Sequence, residues 1–288
     1  MKFATILYGG RMRVAVVEDG RPARLLDPAI SDVSDLAGAA GSFPMAPEQI
    51  GEPGAMKILA PIPRTRRNVF CVGKNYHDHA LEFAKSGFDS GAASGAIPAD
   101  PIIFSKVPET IIADGEPIVF DPLVSDSIDY EGELAVIIGK GGKQIARADA
   151  MAHVWGYTIV NDVTARDVQS RMKQWLVGKS FDTFCPMGPV AVTADEIDLA
   201  DTMLRTWVND ELRQEANTRD LIFDVPAIIE TLSAGITLYP GDVIATGTPA
   251  GVGIGFSPPK YLADGDVVTV EIAGIGQLRN EVRHWRGR

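Results

Sequence analysis

Two glutamates spaced two apart lead into five apolar residues in Glu131-Gly132-Glu133-Leu134-Ala135-Val136-Ile137-Ile138, within the stretch from Asp129 to Gly139. The apolar run predicts a buried strand. Successive side chains of a strand alternate faces, so Glu131 and Glu133 point the same way, about 7 Å apart along the backbone. Two carboxylates held side by side at the mouth of a buried strand repel each other unless a cation lies between them. A solvated strand edge is one answer. A hard divalent ion with oxygen ligands, such as Mg²⁺ or Mn²⁺, is the other.

A third acid bears on that choice. Val154-Trp155-Gly156-Tyr157-Thr158-Ile159-Val160 reads as a second buried strand that runs into Asn161-Asp162-Val163-Thr164-Ala165-Arg166-Asp167. Between the two strands lie a turn, Gly139 to Gly142, and a predicted helix, Ala146 to His153. That is the length of a crossover joining two strands of one sheet. Asp162 then faces the two glutamates, or else Asp162 or Thr164 caps the following helix.

The chain has 288 residues, 45% of them hydrophobic and 23% charged, as in ordinary soluble globular proteins. A net charge of -11 argues against a nucleic-acid surface or an anionic membrane as partner. Cys71 and Cys185 have no metal-type spacing and sit in apolar company. They read as packed thiols in a reducing compartment, the cytoplasm. The apolar run Phe3 to Tyr8 is too short for a signal peptide, and no stretch of about 18 apolar residues suggests a membrane span.

Short strands at Phe3–Tyr8, Arg13–Val17 and Arg24–Leu26, punctuated by Gly9-Gly10 and Asp19-Gly20, predict a small N-terminal β domain over residues 1–62. From Ala39, Gly, Pro and Ala dominate up to Pro63. Proline at this density predicts neither helix nor sheet there, and a larger domain over 63–288. It starts with a strand at Asn68–Val72 and a helix at Asp78–Lys85. A small, glycine-bearing segment from Gly87 to Ala99 reads as a mobile loop. Strands follow at Ile102–Phe104, Ile118–Phe120, Val190–Val192, Leu204–Val208, Val243–Thr246, Val267–Ile272 and Gln277–Val282. Asp224, Pro226 and Gly235 cap, open and close one clear helix. Strands outnumber helices without regular alternation, which predicts a β-rich α+β fold.

Some motifs lead nowhere. Gly251-Val252-Gly253-Ile254-Gly255 is followed by Ser257-Pro258-Pro259, where a dinucleotide-binding loop needs a helix to open. Its glycines suit a close backbone approach to a ligand or loop. Gly178-Lys179-Ser180 lacks the upstream glycine of a phosphate loop. His79 and Glu82 are three apart on a predicted helix and can touch, as an acid–base pair or as a surface pair.

Seven motifs in order, from about Asn68 to Val282, resemble the fumarylacetoacetate hydrolase family. They are Val72-Gly73-Lys74-Asn75-Tyr76-His77-Asp78-His79-Ala80-Leu81-Glu82, Phe104-Ser105-Lys106, Asp129-Tyr130-Glu131-Gly132-Glu133, Gly156 to Asp167, Gly178-Lys179-Ser180-Phe181-Asp182, Pro240-Gly241-Asp242-Val243-Ile244 and Thr246 to Gly253. The resemblance implies a folded-over β-roll, a homodimer, and Glu131, Glu133 and Asp162 as ligands to Mg²⁺ or Mn²⁺, with Ca²⁺ able to substitute. It makes His79 and Glu82 a catalytic dyad on a segment that closes over the site. Lys179 and Lys106 become contacts to substrate oxygens, and Thr248 a contact to a substrate carboxylate. Arg166, Tyr157 and Gln169 are further candidates for substrate contact, and Arg166 alternatively pairs with Asp162 or Asp167.

The implied partner is a small anionic keto acid. The leading expectation is hydrolysis of a C–C bond in a 2,4-diketo acid: His79 and Glu82 activate a water, and Lys179 helps to stabilise the enolate that leaves. Decarboxylation, or isomerisation or hydration of a related 2-keto acid, uses the same groups. A non-catalytic β-rich module that holds an ion is the alternative outside enzymology.

Overall fold

In the computed structural model, residues 1–38, 43–50, 56–85 and 97–287 are described. The strand Gly132–Ile138 lies at the centre, and all seven of its residues are buried. Antiparallel neighbours flank it on both edges, Val154–Asn161 on one side and Val243–Ala245 on the other. Leu134, Val136 and Ile138 pack with Leu204, Val268, Val270 and Ile272. Ala135 and Ile137 pack on the opposite face with Phe3, Val69, Cys71 and Met187. Burial on both faces explains why the run is continuous rather than alternating. Each large side chain so buried contributes about 1.5–3 kcal/mol.

The fold is β-rich α+β with several sheets, as the strand-heavy sequence predicts. The largest sheet runs in the order Met45–Gln49, Arg21–Leu26, Arg11–Glu18, Lys2–Tyr8, Cys185–Thr193, Val154–Asn161, Gly132–Ile138, Val243–Ala245, Val69–Gly73 and Ile102–Lys106. A five-stranded sheet of Glu211–Asn217, Met203–Val208, Val267–Ile272, Gly276–His284 and Ile118–Phe120 supplies the partners of the central strand's first face. The helix Val225–Gly235 starts at Asp224, whose carboxylate accepts from Ala227 N at 2.9 Å, with Pro226 in its first turn.

Several expectations need correction. The two strands that carry the acids are antiparallel neighbours, not strands joined by a parallel crossover. Their connection holds a 3₁₀ segment, Arg147–His153. The Gly- and Pro-rich stretch before residue 63 contributes strands at Met45–Gln49 and Met56–Ile58. Pro47 falls on an edge strand of the sheet, where proline is tolerated. The strand Glu211–Asn217 was not expected, because its charged residues hide the pairing with Met203–Val208. Lys2–Tyr8 pairs with Cys185–Thr193, so the N-terminal strands continue the main sheet. Most of the loop expected to be mobile, residues 86–96, lies outside the described residues.

Candidate active site and metal centre

The register of the central pair builds the acid cluster. Gly132 lies opposite Asn161 and Glu133 opposite Val160, so Asp162 emerges beside Glu131. Backbone bonds lock the corner: Asp162 N donates to Glu131 O at 2.8 Å, and Glu131 N donates to Asn161 Oδ1 at 2.9 Å. One oxygen from each of Glu131, Glu133 and Asp162 lies within 4.8 Å of the others, and all three residues are buried. Neither Asp162 nor Thr164 caps the helix Arg166–Met172; Thr164 Oγ1 donates to Asp162 O at 2.9 Å.

Three buried cations surround the cluster. Lys179 Nζ donates to Glu131 Oε2 at 2.8 Å and to Asp162 Oδ2 at 2.7 Å. Lys106 Nζ donates to Asp162 Oδ1 at 2.6 Å and to Val163 O at 3.0 Å. Arg166 pairs through Nε with Asp129 Oδ2 at 2.8 Å and through Nη2 with Glu131 Oε1 at 2.7 Å. Its partners are therefore Asp129 and Glu131, not Asp162 or Asp167. Burial works against the charge on Lys179, but Asp162 and Glu131 outweigh it and raise its pKa, so this lysine is a fixed cation rather than a base.

The carboxylates are compensated unequally. Burial would raise the Glu131 carboxyl, but Lys179 and Arg166 hold it down at about 2. Glu133 accepts a bond from Gly247 N at 2.7 Å. Burial, Asp162 and Glu131 push its carboxyl well above the usual range. The cluster thus lacks positive charge beside Glu133, and its donors are all hard carboxylate oxygens. Oxygens already bonded to a cation keep a second lone pair for coordination. This donor set fits Mg²⁺, Mn²⁺ or Ca²⁺ and does not resemble a thiolate or imidazole site.

The inequality has a measurable consequence without metal. A carboxyl that holds its proton in the fold, while the unfolded chain ionises near pH 4.5, costs stability progressively as pH rises above that value. In chelator at pH 7, Glu133→Gln should unfold at or above the temperature of the parent protein. Glu131→Gln should unfold well below it, since removing one partner of a buried pair costs about 3–5 kcal/mol. Thermal unfolding of both variants decides this; equal destabilisation would contradict the unequal compensation.

Against Glu131 of the cluster lies a cavity of about 20 Å³, lined by residues that include His79, Phe83, Arg166, Gln169, Trp175, Lys179 and Thr248. His79 stands on the helix His77–Lys85, with its Nδ1 3.2 Å from Glu82 Oε2. Gln169 Oε1 accepts from Arg166 Nη1 at 3.2 Å. Thr248 Oγ1 donates to Gly132 O at 3.0 Å.

Of the candidates for substrate contact, two are not brought to the cavity. Tyr157 is buried in the apolar core, where desolvation raises its phenol to about 12. It lies opposite Val136 in the central pair, out of phase with the face that carries Glu133, Ala135 and Ile137, and so points into the other layer. Lys106 is fully buried, with its ammonium on Asp162 and Val163, and does not line the cavity. Cys71 and Cys185 are free, buried thiols raised by desolvation, Cys185 to about 12, as packed cysteines should be.

Other residues of the site were not anticipated. Asp129 pairs with Arg166 and accepts from Gly253 N at 2.6 Å and Ile254 N at 3.0 Å. Gln214 Nε2 donates to Thr248 Oγ1 at 2.7 Å, and its Oε1 accepts from Gly132 N at 3.1 Å. Asn75, just before the helix His77–Lys85, donates to Thr246 O at 2.7 Å and bonds the Phe223 backbone. Asp129 lies inside the acidic motif, so its position was visible although its partner was not. Gln214 carries no local signal.

This arrangement of a β-rich fold, a buried acid trio and a histidine facing it has close counterparts. Fumarylacetoacetate hydrolase from Exiguobacterium antarcticum superposes with a TM-score of 0.84 at 41% identity, over 99% of this chain and 100% of that one. A 5-carboxymethyl-2-hydroxymuconate delta-isomerase from Mycobacterium smegmatis gives a TM-score of 0.79 at 36% identity, with the same coverage. The family model for the fumarylacetoacetate (FAA) hydrolase C-terminal region matches residues 68–283. This chain belongs to the fumarylacetoacetate hydrolase family. Among curated relatives, oxaloacetate tautomerase YisK of Bacillus subtilis is 49% identical over 228 residues, 79% of this chain and 73% of that protein. The human mitochondrial oxaloacetate tautomerase FAHD2A is 45% identical over 228 residues, 78% of this chain and 69% of that protein. These names favour isomerisation, the second expectation, over C–C hydrolysis, the leading one.

Proposed function

We propose that this protein is a divalent-metal-dependent tautomerase that interconverts keto and enol forms of a small 2-keto dicarboxylate of the oxaloacetate type. The observation that carries the reading is that His79, in contact with Glu82, shares one small cavity with the cations Arg166 and Lys179. Keto-to-enol conversion moves one proton. The C–H bond beside the carbonyl breaks, its electron pair forms the C=C bond, and the carbonyl pair moves to oxygen, which takes up a proton. His79 is the group able to carry that proton, and Glu82 orients its ring. Arg166 and Lys179 stay charged and stabilise the negative charge that develops on oxygen. Thr248 and Gln169 position a substrate carboxylate and carbonyl. Glu131, Glu133 and Asp162 hold the ion, which when bound supplies positive charge that polarises the keto oxygen. Lys106 orients Asp162 from behind.

Names of relatives at 49% and 45% identity support this substrate class. The same dyad would also activate a water, so hydrolysis of a 2,4-diketo acid is the second reading. We further assign the protein to the cytoplasm as a homodimer with units 1–62 and 63–288. Among the described residues, no helix is long and apolar enough to cross a membrane.

The test follows enol decay and solvent-deuterium exchange at the carbon next to the keto group of oxaloacetate, with saturating Mg²⁺ and with chelator, beside an acylpyruvate cleavage assay. Metal-dependent exchange faster than the uncatalysed rate is expected. Cleavage of the acylpyruvate with no acceleration of exchange would replace the tautomerase with the hydrolase.

A further inference from the structure

We propose that the glycine run Gly251–Gly255 is a positioning device that holds Glu82 against His79, and that Gly255 is its specificity-free but activity-critical element. The proposal rests on the reading of His79 as proton carrier. Gly251 N donates to both oxygens of Glu82, at 3.0 and 3.2 Å. The same carboxylate reaches His79 Nδ1 through Oε2 at 3.2 Å. Gly255 leaves the space that Glu82 fills: a β-carbon added there would collide with Glu82 Oε1, Cδ and Cγ.

Two residues back, Gly253 N and Ile254 N grip Asp129, which pairs with Arg166 and, through it, with Glu131. One short loop therefore sets both the orienting acid of the histidine and the cation beside the acid trio. The loop is itself anchored, since Val252 and Ile254 are buried and Tyr130 Oη donates to Gly251 O at 2.7 Å.

The two ends of the run differ in what a methyl group would meet. At Gly251, where φ is 99°, it would strike the backbone carbonyl of Arg213, which cannot yield cheaply. At Gly255 the three nearest atoms it would meet all belong to the side chain of Glu82. A flexible side chain can turn away, so Gly255→Ala should keep the fold and displace the carboxylate. Glu82 then no longer orients His79, while the acid trio and its cations are untouched.

The experiment is a double-mutant cycle of Gly255→Ala, Glu82→Ala and the pair, with kcat, KM and Mg²⁺ affinity measured for the oxaloacetate reaction. Gly255→Ala is expected to lower kcat about as much as Glu82→Ala, tenfold or more on the scale of general acid–base help, with KM and Mg²⁺ affinity within about twofold. In the Glu82→Ala background it should cost nothing further, because the atoms it collides with are gone. Wild-type kcat in Gly255→Ala, or the same fold loss in both backgrounds, would overturn the proposal. Should Gly255→Ala alone fail to fold, the pair should still fold as well as Glu82→Ala, and an unfolded pair would equally overturn it. A His79→Ala variant of undiminished rate would instead remove the proton-carrier reading, whatever Gly255 does.

Discussion

Glu131→Ala and Asp162→Ala are each expected to abolish turnover and to weaken Mg²⁺ or Mn²⁺ binding at least tenfold. Each residue supplies a hard oxygen to the cluster and two ion pairs to its wall. Tenfold corresponds to about 1.4 kcal/mol, a modest share of what a buried carboxylate contributes to a divalent ion. Losing either also strands cations: Lys179 keeps one of its two acids, and Arg166 or Lys106 loses a partner. That penalty, about 3–5 kcal/mol, is a large part of a typical folding stability. The isosteric Glu131→Gln and Asp162→Asn variants should therefore be run beside the alanines. Titration calorimetry on folded protein reads the affinity. Unchanged affinity in all four would refute the ligand assignment.

His79→Ala should lower kcat by about 10²–10⁴, the usual worth of a positioned proton carrier, and leave metal affinity nearly intact. Glu82→Gln should lose less, because Glu82 orients the ring without moving the proton to or from substrate. Tautomerisation and hydrolysis both pass a proton through the imidazole, so both should suffer. Oxaloacetate decarboxylation needs neither an attacking water nor a proton taken from carbon, and should retain a larger share. The measurement is deuterium exchange, acylpyruvate cleavage and carbon dioxide release by the same variant at matched Mg²⁺. Undiminished exchange in His79→Ala would exclude the dyad. Equal losses in all three would make His79 a positioning residue.

The strand pattern, the helix opened by Asp224 and Pro226, and the glutamate pair were legible because each is written in local periodicity or capping, whereas only the resemblance joined Asp162 to the pair. Tyr157, a candidate for substrate contact, lies in the apolar core, where its place opposite Val136 puts it on the other face. The pairing choices were another matter. Arg166 selects Asp129, 37 positions away, over its neighbours Asp162 and Asp167. Lys106 reaches 56 positions forward to Asp162 and does not line the cavity.

From its residues alone, then, this chain determined which strands would be buried, and that acids would stand at the start of one and just past the end of another. It also determined that a histidine and a glutamate would share one helical face. Only the tertiary structure decided which cation neutralises which carboxylate, and that Glu133 receives a backbone N–H where Glu131 and Asp162 receive lysines. It likewise turned the glycines after Thr248 to the carboxylates of Glu82 and Asp129. Periodicity is local and repeats along the chain, whereas the partner of a buried charge is chosen by sheet register and by which groups burial leaves without water.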